Sequence, residues 1–323
     1  MNNLITDVLG LRVGNAHDDI ARTGATVILP DVAVVCGVDV RGGGPGTRET
    51  DALAPENLVE TIDAIVLSGG SVYGLAAADG VAAILGSQGK GFGLTDLDGV
   101  PKSPVIPSAI LYDLANGGDK NWGSLPPYRA LGIRALEAAS PDFVLGSYGA
   151  GFGACAGALR GGLGSASQTT HDGFTVGAIV AVNCFGSVIM PGSDAFWAWS
   201  LEQNGEAGGK CPAPDLRVVG DDWGLAKANS AAGRTNTTIA CIATDIALTP
   251  AQAKRVAQMA SAGLARAIRP VFAPFDGDVV FAISTARHPM PEPTAFTLAR
   301  IGALAADCLS RAVMRGVHAA QVT

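Results

Sequence analysis

The chain has 323 residues, of which 48% are hydrophobic and only 16% charged, so it is long and apolar enough to bury a large core. Its net charge of -7 argues against a surface for nucleic acid or anionic membranes. No apolar stretch reaches the roughly 18 residues of a membrane-spanning helix, and the start lacks the pattern of a signal peptide. The scattered cysteines and histidines show no ligand spacing, so we expect a cytoplasmic protein with free thiols and neither a metal nor another cofactor.

Continuous apolar runs predict buried strands in the first part of the chain, because strands covered on both faces lose the usual alternation. An Ala-rich segment, residues 70–85, follows a Gly-Gly-Ser turn and predicts a helix. Residues 94–128 contain five prolines and predict a long ordered loop. The strands predicted up to this point and just beyond are 32–40, 64–68, 143–146 and 176–182.

The second part of the chain opens with its most polar segment, residues 191–233, which ends in the small-residue run 226–233. This run predicts an exposed, cleavable connection. Further on, Thr249-Pro250 predicts a helix N-cap followed by proline at the first helical position. Buried strands with Ala-rich helices predict a layered α/β fold with helices on both faces of the sheets. The remaining elements predicted are strand 237–244, a helix to about 267, strand 278–284 and a helix over 293–316.

Two glycine-rich segments each allow more than one interpretation of their role. Residues 151–156 fit the dinucleotide pattern G-x-G-x-x-A, but the Gly-rich stretch 157–164 follows where that motif needs a helix. Close packing of the backbone is therefore the better interpretation. Ser71, in a Gly-Gly-Ser turn, is interpreted as a helix N-cap or as a substrate contact, and the two roles are compatible.

The junction Asn236-Thr237 lies where the small-residue run meets an apolar strand. A hydroxyl at the first residue of a buried strand is what a self-cleaving N-terminal-nucleophile hydrolase needs. Its oxygen attacks the preceding carbonyl, the chain breaks, and the new α-amine becomes the base for later turnovers. Asp276-Gly277-Asp278 precedes another strand, and is either an ordinary Asp-Gly turn or a carboxylate pair that orients Thr237.

Several separated segments together resemble one family: 40–51, 67–75, 104–109, 161–167, 180–183 and 237–245. They are similar to the autoprocessing peptidases that include D-aminopeptidase/esterases, β-aminopeptidases and nylon-oligomer hydrolases. The resemblance implies a four-layer α/β/β/α sandwich of the N-terminal-nucleophile type, as in D-aminopeptidase and ornithine acetyltransferase. It also implies a single domain, 1–323, that cleaves itself into 1–236 and 237–323.

The same resemblance assigns roles to individual residues. Thr237 matches the nucleophile, and a threonine after asparagine is the pattern of the nylon-oligomer hydrolases. Asp276 and Asp278 match the carboxylates that position it. Asn183 matches an asparagine near the nucleophile, where it would donate to an oxyanion. Tyr112 matches a tyrosine of the substrate pocket.

One feature departs from the family pattern. The family usually places a lysine in the loop corresponding to 149–161, and this chain has none between Lys120 and Lys210. Arg160 is the cation of that loop and is assigned to substrate binding, but an arginine cannot act as a base. Three alternatives stay open: Arg160 substitutes electrostatically, Lys227 reaches in, or processing is slow.

The function implied is an amidohydrolase that works through an acyl-enzyme without a cofactor. The expected substrates are linear ω-amino-acid oligomers, such as those of nylon-6, or small peptides with unusual N-termini. The alternative is an aminopeptidase/esterase for N-terminal β- or D-residues, and an alternative of another class is an idle homologue that never cleaves. The resemblance also implies a homo-oligomer, a tetramer or larger, with no nucleic-acid or membrane partner.

Overall fold

A computed structural model describes residues 2–95, 97–227 and 236–322. The helices of these residues are α1 (Ala76–Ser87), α2 (Tyr128–Glu137), α3 (Pro250–Ala267) and α4 (Thr294–Val322). The strands are β1 (Leu11–Asp18), β2 (Thr23–Pro30), β3 (Val34–Val40), β4 (Thr47–Arg48), β5 (Thr61–Ile62), β6 (Ile65–Ser68), β7 (Ser108–Ile110), β8 (Cys155–Ala156), β9 (Leu159–Arg160), β10 (Gly162–Thr169), β11 (Thr175–Asn183), β12 (Thr237–Ile246) and β13 (Val279–His288).

Two mixed sheets form the centre of the fold. One has the strand order β1-β2-β6-β7-β4, and the other has the order β10-β11-β12-β13-β3-β5. In the second sheet β12 runs antiparallel to β11 and parallel to β13. The end of β11 and the beginnings of β12 and β13 therefore meet at one edge of the sheet.

The strands show how the sheets and helices stack. Along β12, Ile239 and Cys241 join the apolar cluster between the two sheets, whereas Ala240 and Ile242 join the cluster formed with α3 and α4. This alternation is the period of two expected of a strand buried on both faces. Helices α1 and α2 cover the outer face of the other sheet. The predicted four-layer α/β/β/α sandwich is confirmed.

The two long C-terminal helices begin where the sequence predicts. The Thr249 hydroxyl accepts a hydrogen bond from the Gln252 backbone N–H at 3.3 Å, and Pro250 starts α3. Helix α4 continues past the predicted end at Gly316 to Val322. Gly316 is a contact point rather than a cap, because a Cβ there would lie 2.7 Å from the Gly164 nitrogen on β10. Within the described part of the chain, none of the helices combines the length and the apolar character needed to cross a membrane.

Three predicted elements differ from the structure. Residues 143–146 do not form a strand, because only Gly146 pairs, with Leu163, and Val144 is exposed. The predicted loop 94–128 contains the strand β7, which runs parallel to β6. Of the predicted connection 226–233, residues 228–233 lie outside the described residues.

Candidate active site

The predicted nucleophile and the predicted oxyanion donor lie side by side at one edge of the six-stranded sheet. β11 ends at Asn183, β12 begins at Thr237, and the antiparallel register pairs the two residues directly. Both occupy positions on the face that carries Ala181 and Ile239 into the core between the sheets. Neighbouring strands thus hold a hydroxyl and a carboxamide together.

Thr237 has a strained backbone. Its φ is 142°, an outlier for a β-branched residue, and the residue is buried. Strain of this kind costs about 1–3 kcal/mol and persists only where the surrounding structure holds it. The strained torsion adjoins the peptide bond between Asn236 and Thr237, so part of the distortion is released if that bond breaks.

Asp278 ties the start of β12 to the loop before β13. One carboxylate oxygen accepts the Thr238 backbone N–H at 2.7 Å, and the other accepts the Phe272 backbone N–H at 3.2 Å. Burial raises the pKa of Asp278, and the two backbone donors oppose that shift. Asp278 therefore holds the backbone of the residue that follows Thr237, the predicted nucleophile.

Asp276 is the more strongly perturbed carboxyl of the pair. Burial and then the charge of Asp278 raise the pKa of Asp276, while the charge of Lys227 and the backbone N–H groups of Phe185 and Gly277 oppose the rise. A carboxyl whose pKa is shifted towards neutrality can hold or accept a proton at working pH. The Asp-Gly-Asp segment therefore holds two buried carboxyls with raised pKa values, and its role in orienting Thr237 stays a prediction.

The glycine loop after β3 supports this segment from the other side. The Gly44 N–H donates to the Asp276 carbonyl at 2.7 Å, and the Gly42 N–H donates to the Asp278 carbonyl at 3.3 Å. A Cβ on Gly42 would overlap the backbone of both aspartates. Only glycine allows this close approach, which explains the Gly-rich start of segment 40–51.

Hydrogen bonds fix the orientation of the Asn183 side chain. Its Oδ1 accepts from the Cys155 backbone N–H at 2.8 Å and from Asn116 Nδ2 at 3.2 Å. Its Nδ2 donates to the Tyr112 carbonyl at 3.0 Å. The structure therefore brings Tyr112 to the site, with the residue's backbone in contact with Asn183.

Asp113, the residue after Tyr112, is a buried carboxylate that the sequence analysis did not identify. Asp113 accepts the Gly70 backbone N–H at 2.7 Å and the Thr23 hydroxyl at 2.6 Å. It joins the loop that touches Asn183 to the Gly-Gly-Ser turn. A charged residue at the end of the apolar run 105–114 was the available signal.

Ser71 lies in the same turn but does not cap a helix. It belongs to a 3-10 turn, Ser71–Leu75, whose start has no side-chain capping bond, and its own φ is 52°. The N-cap interpretation is wrong because α1 begins five residues later, at Ala76. The Ser71 N–H donates to the Leu111 carbonyl at 3.0 Å, next to Tyr112. Its role as a substrate contact stays a prediction.

The structure separates the two candidate cations. The half-buried Lys227 bonds through its backbone N–H to the Phe185 carbonyl at 3.0 Å. Burial lowers the pKa of Lys227, and its ammonium is electrostatically coupled to Cys184, Cys155 and Asp276.

Arg160 has a different environment. It is exposed on β9, opposite Cys155, and lines a surface cavity of about 420 Å³ together with Asp19 and Arg22. Of the two candidate cations, Lys227 is the one whose charge acts on a predicted catalytic carboxyl, and slow processing, the third alternative, is not tested by the structure. Substrate binding by Arg160 stays a prediction.

Among the residues that the structure describes, no three or more His, Cys, Asp or Glu side chains are grouped so that they would hold a metal ion. The chemistry available at this edge of the sheet is that of a hydroxyl, a carboxamide, a lysine and two buried carboxyls. Such a set suits nucleophilic attack with proton transfer and oxyanion stabilisation.

Comparisons with known proteins agree with this chemistry. The model of peptidase family S58 matches residues 3–323. An uncharacterized aminopeptidase of Mycobacterium tuberculosis is 43% identical, over 99% of this chain and 94% of that protein. A 6-aminohexanoate-oligomer endohydrolase of a Kocuria species is 29% identical, over 95% of this chain and 84% of that protein.

The solved structure of a Burkholderia β-aminopeptidase superposes with a TM-score of 0.70 at 24% identity, over 98% of this chain and 86% of that chain. An L-aminopeptidase D-Ala-esterase/amidase from Ochrobactrum anthropi, described as a variant of the N-terminal-nucleophile hydrolase fold, also gives 0.70, at 23% identity over 99% and 86%.

Proposed function

The chain belongs to peptidase family S58 and is a hydrolase of amide bonds, and we propose that it is a proenzyme that cleaves itself before Thr237. The observation that carries the proposal is the position of Thr237. Its hydroxyl is buried beside the Asp-Gly-Asp segment, its backbone is strained, and Asn183 pairs with it across the strands. Backbone strain at a β-branched residue is costly and is found mainly at functional sites. Strain next to a peptide bond that is to be cleaved fits this pattern.

In the first reaction the Thr237 hydroxyl attacks the carbonyl carbon of Asn236. The hydroxyl proton passes to a base, the C–N bond breaks, the α-nitrogen gains a proton, and an ester joins the Asn236 acyl group to Thr237 Oγ1. Water hydrolyses the ester, leaving a carboxylate on Asn236 and a free amine on Thr237. Asp276 is our candidate for the base of this step, because its pKa is raised towards neutrality.

In later turnovers the α-amine of Thr237 takes the proton from its own hydroxyl. An α-amine has an unperturbed pKa near 7.7–8.0 and so serves as a base close to neutrality. The hydroxyl attacks the substrate amide, the amine product leaves with the proton, and water hydrolyses the acyl-enzyme. Asn183 Nδ2 stabilises the oxyanion, and Asp276 and Asp278 keep the new terminus in place.

For the substrate we propose short peptides, cut by an aminopeptidase-type reaction. The relatives that are 43% identical over nearly the whole chain are named aminopeptidases. The second candidate is the hydrolysis of linear 6-aminohexanoate oligomers, supported by the match at 29% identity and by the threonine after asparagine. Activity on β-alanyl and D-alanyl amides compared with aminohexanoate oligomers separates the two.

The test of self-cleavage is intact-mass analysis and denaturing electrophoresis of the purified wild type, Thr237→Ser and Thr237→Ala. We expect two fragments that part between Asn236 and Thr237 in the wild type and in Thr237→Ser, and a single intact chain in Thr237→Ala. Thr238→Ala is the matched control, because it removes the neighbouring hydroxyl. A wild type that is fully active while it stays intact contradicts the proposal.

A further inference from the structure

A cavity of about 570 Å³ lies beside the candidate active site and has no role in the chemistry above. Its walls are mostly apolar and include four aromatic residues, three of which are joined by ring contacts through Phe185. Phe185 meets Phe275 edge to face, with ring centroids 4.9 Å apart, and meets Trp223 in the same manner at 6.0 Å. Lys227 and the loop residues 270–274 complete the lining. Cavities of this size commonly hold small ligands.

The cavity is joined to the catalytic carboxyls through the backbone. The Phe185 N–H donates to the Asp276 carboxylate, and Phe275 directly precedes Asp276 in the chain. The Phe272 N–H, in the same wall, donates to Asp278 at 3.2 Å. A group bound in the cavity therefore contacts residues whose backbones are bonded to, or adjoin, the two aspartates.

The rings at the mouth remain accessible to a ligand. Trp223 and Phe275 are each 39% exposed, whereas Phe185, between them, is 5% exposed. Two exposed rings set edge-on to a buried third ring form an apolar slot that can take a further ring by edge-to-face or offset contact. Exposed aromatic residues gathered at one place indicate a binding site rather than core packing.

Among the described residues that line the cavity, Lys227 is the charged one. Asp276, to which Lys227 is electrostatically coupled, is 1% exposed and is not part of the lining. A cation in an apolar wall repels the ammonium group of a substrate and attracts a carboxylate. The amino end of a peptide is thus disfavoured here, and a carboxylate end is favoured.

We propose that this cavity is the subsite for the leaving residue of the substrate, and that it selects short peptides whose C-terminal residue has an aromatic side chain and a free carboxylate. The aromatic side chain packs against Trp223 and Phe275, and the carboxylate faces Lys227. The assignment to a substrate subsite rests on the proposed function, since it takes Thr237 as the point of attack. The chemistry of the cavity itself does not depend on turnover.

The test is calorimetric binding of three small probes to the wild type and to Thr237→Ala. The probes are 3-phenylpropionate, 2-phenylethylamine, which has the ring but the opposite charge, and hexanoate, which has the charge but no ring. We expect 3-phenylpropionate to bind about ten-fold more tightly than 2-phenylethylamine and several-fold more tightly than hexanoate. Equal affinities, or no binding, would overturn the proposal.

Two tryptophan variants locate the probe. Trp223→Ala should weaken the binding of 3-phenylpropionate at least five-fold, by roughly the contribution of one aromatic wall. Trp199→Ala is the matched control, because Trp199 is also 39% exposed but lies in a 3-10 turn outside the cavity. Equal effects of the two variants would exclude the cavity as the binding site.

A kinetic experiment tests the link to catalysis. With the self-cleaved enzyme, dipeptides that end in phenylalanine should have a lower KM than those that end in glycine, and amidation of the C-terminus should remove the advantage. Trp223→Ala should raise KM for the phenylalanine peptides and leave kcat nearly unchanged. If Thr237 proves not to be the nucleophile while the probes still bind as expected, the proposed function fails and the binding site stands.

Discussion

Thr237 Oγ1 lies against the backbone of Gly277, so closely that a Cβ on this glycine would come within 2.7 Å of the hydroxyl oxygen. The same Cβ would lie 2.8 Å from the Gly44 carbonyl. Both distances are well below ordinary van der Waals contact, so the absence of a side chain at position 277 is what lets the hydroxyl lie against the Asp-Gly-Asp segment. The glycine of the Asp-Gly-Asp segment thus shapes the site as directly as its neighbours do.

Gly277→Ala should therefore block self-cleavage. The added methyl group displaces the Thr237 hydroxyl, and a misplacement of about 1 Å can cost on the order of 100-fold in rate. We expect most of the chain to stay intact over a time in which the wild type is fully cleaved, as measured by electrophoresis.

Gly220→Ala is the control for this substitution. A Cβ at Gly220 meets nothing within 4 Å, so cleavage should proceed as in the wild type. Wild-type cleavage of Gly277→Ala would show that the hydroxyl does not need its present position.

Asn183→Asp should slow both self-cleavage and turnover. The substitution keeps the shape of the side chain but replaces the amide donor by a carboxylate oxygen, which repels a developing oxyanion and loses the bond to the Tyr112 carbonyl. Removal of one oxyanion donor typically costs about 100- to 1000-fold in kcat.

The measurement for this variant is kcat on a peptide amide, after any slow cleavage has finished, with KM determined alongside. Asn57→Asp serves as the control, because Asn57 also donates to a backbone carbonyl, that of Asp51, but at an exposed position outside the site. A loss in KM alone for Asn183→Asp would assign Asn183 to substrate binding.

Much of the site follows from strand patterns that the sequence displays. The run 176–182 and the strand from Thr237 were both recognisable as buried, and a register between neighbouring strands is enough to bring Asn183 next to Thr237. The family motifs added the two aspartates. The capped start of α3 was equally clear, because Thr249 and Pro250 are local signals that tertiary contacts do not override.

The features that could not be predicted from the sequence depend on contacts between residues far apart in the chain. Lys227 lies in an irregular segment. Its backbone bond to Phe185 and its electrostatic coupling to Asp276 both join residues far apart in the chain, and no local pattern indicates either one. Gly316 suggested the end of a helix, but close packing against β10 carries α4 onward. The apolar residues 143–146 suggested a strand, but only Gly146 finds a partner.

The carboxyl pair should make stability fall as the pH rises. The native pKa of Asp276 is raised, whereas an aspartate in the unfolded chain titrates near 3.9. Between about pH 4 and the raised native pKa, the native state binds more protons than the unfolded state, so the free energy of unfolding decreases with increasing pH. Each unit by which the pKa is raised costs about 1.4 kcal/mol above that window.

Asp276→Asn removes this contribution. In the uncleaved Thr237→Ala background, we expect the melting temperature to fall by several degrees less between pH 5 and pH 8 when Asp276→Asn is present. Asp98→Asn, at an exposed position, should leave the pH dependence unchanged. Parallel curves with and without Asp276→Asn would contradict a raised pKa at this residue.

Lys227→Met should slow self-cleavage and shift its pH dependence. The charge of Lys227 lowers the pKa of Asp276 against burial and the charge of Asp278, so loss of that charge raises the pKa of Asp276 further. More of Asp276 is then protonated at neutral pH and unable to accept the Thr237 proton. We expect the rate of cleavage to fall at pH 7 and to recover in part at higher pH, which a series of timed electrophoresis samples from pH 6 to pH 10 can measure.

Lys227→Arg, which keeps the charge, should retain most of the rate. Lys210→Met, which removes an exposed lysine bonded to Asp194, is the control for charge loss elsewhere. Unaltered cleavage across this pH range in Lys227→Met would show that the cation beside Asp276 has no part in the reaction.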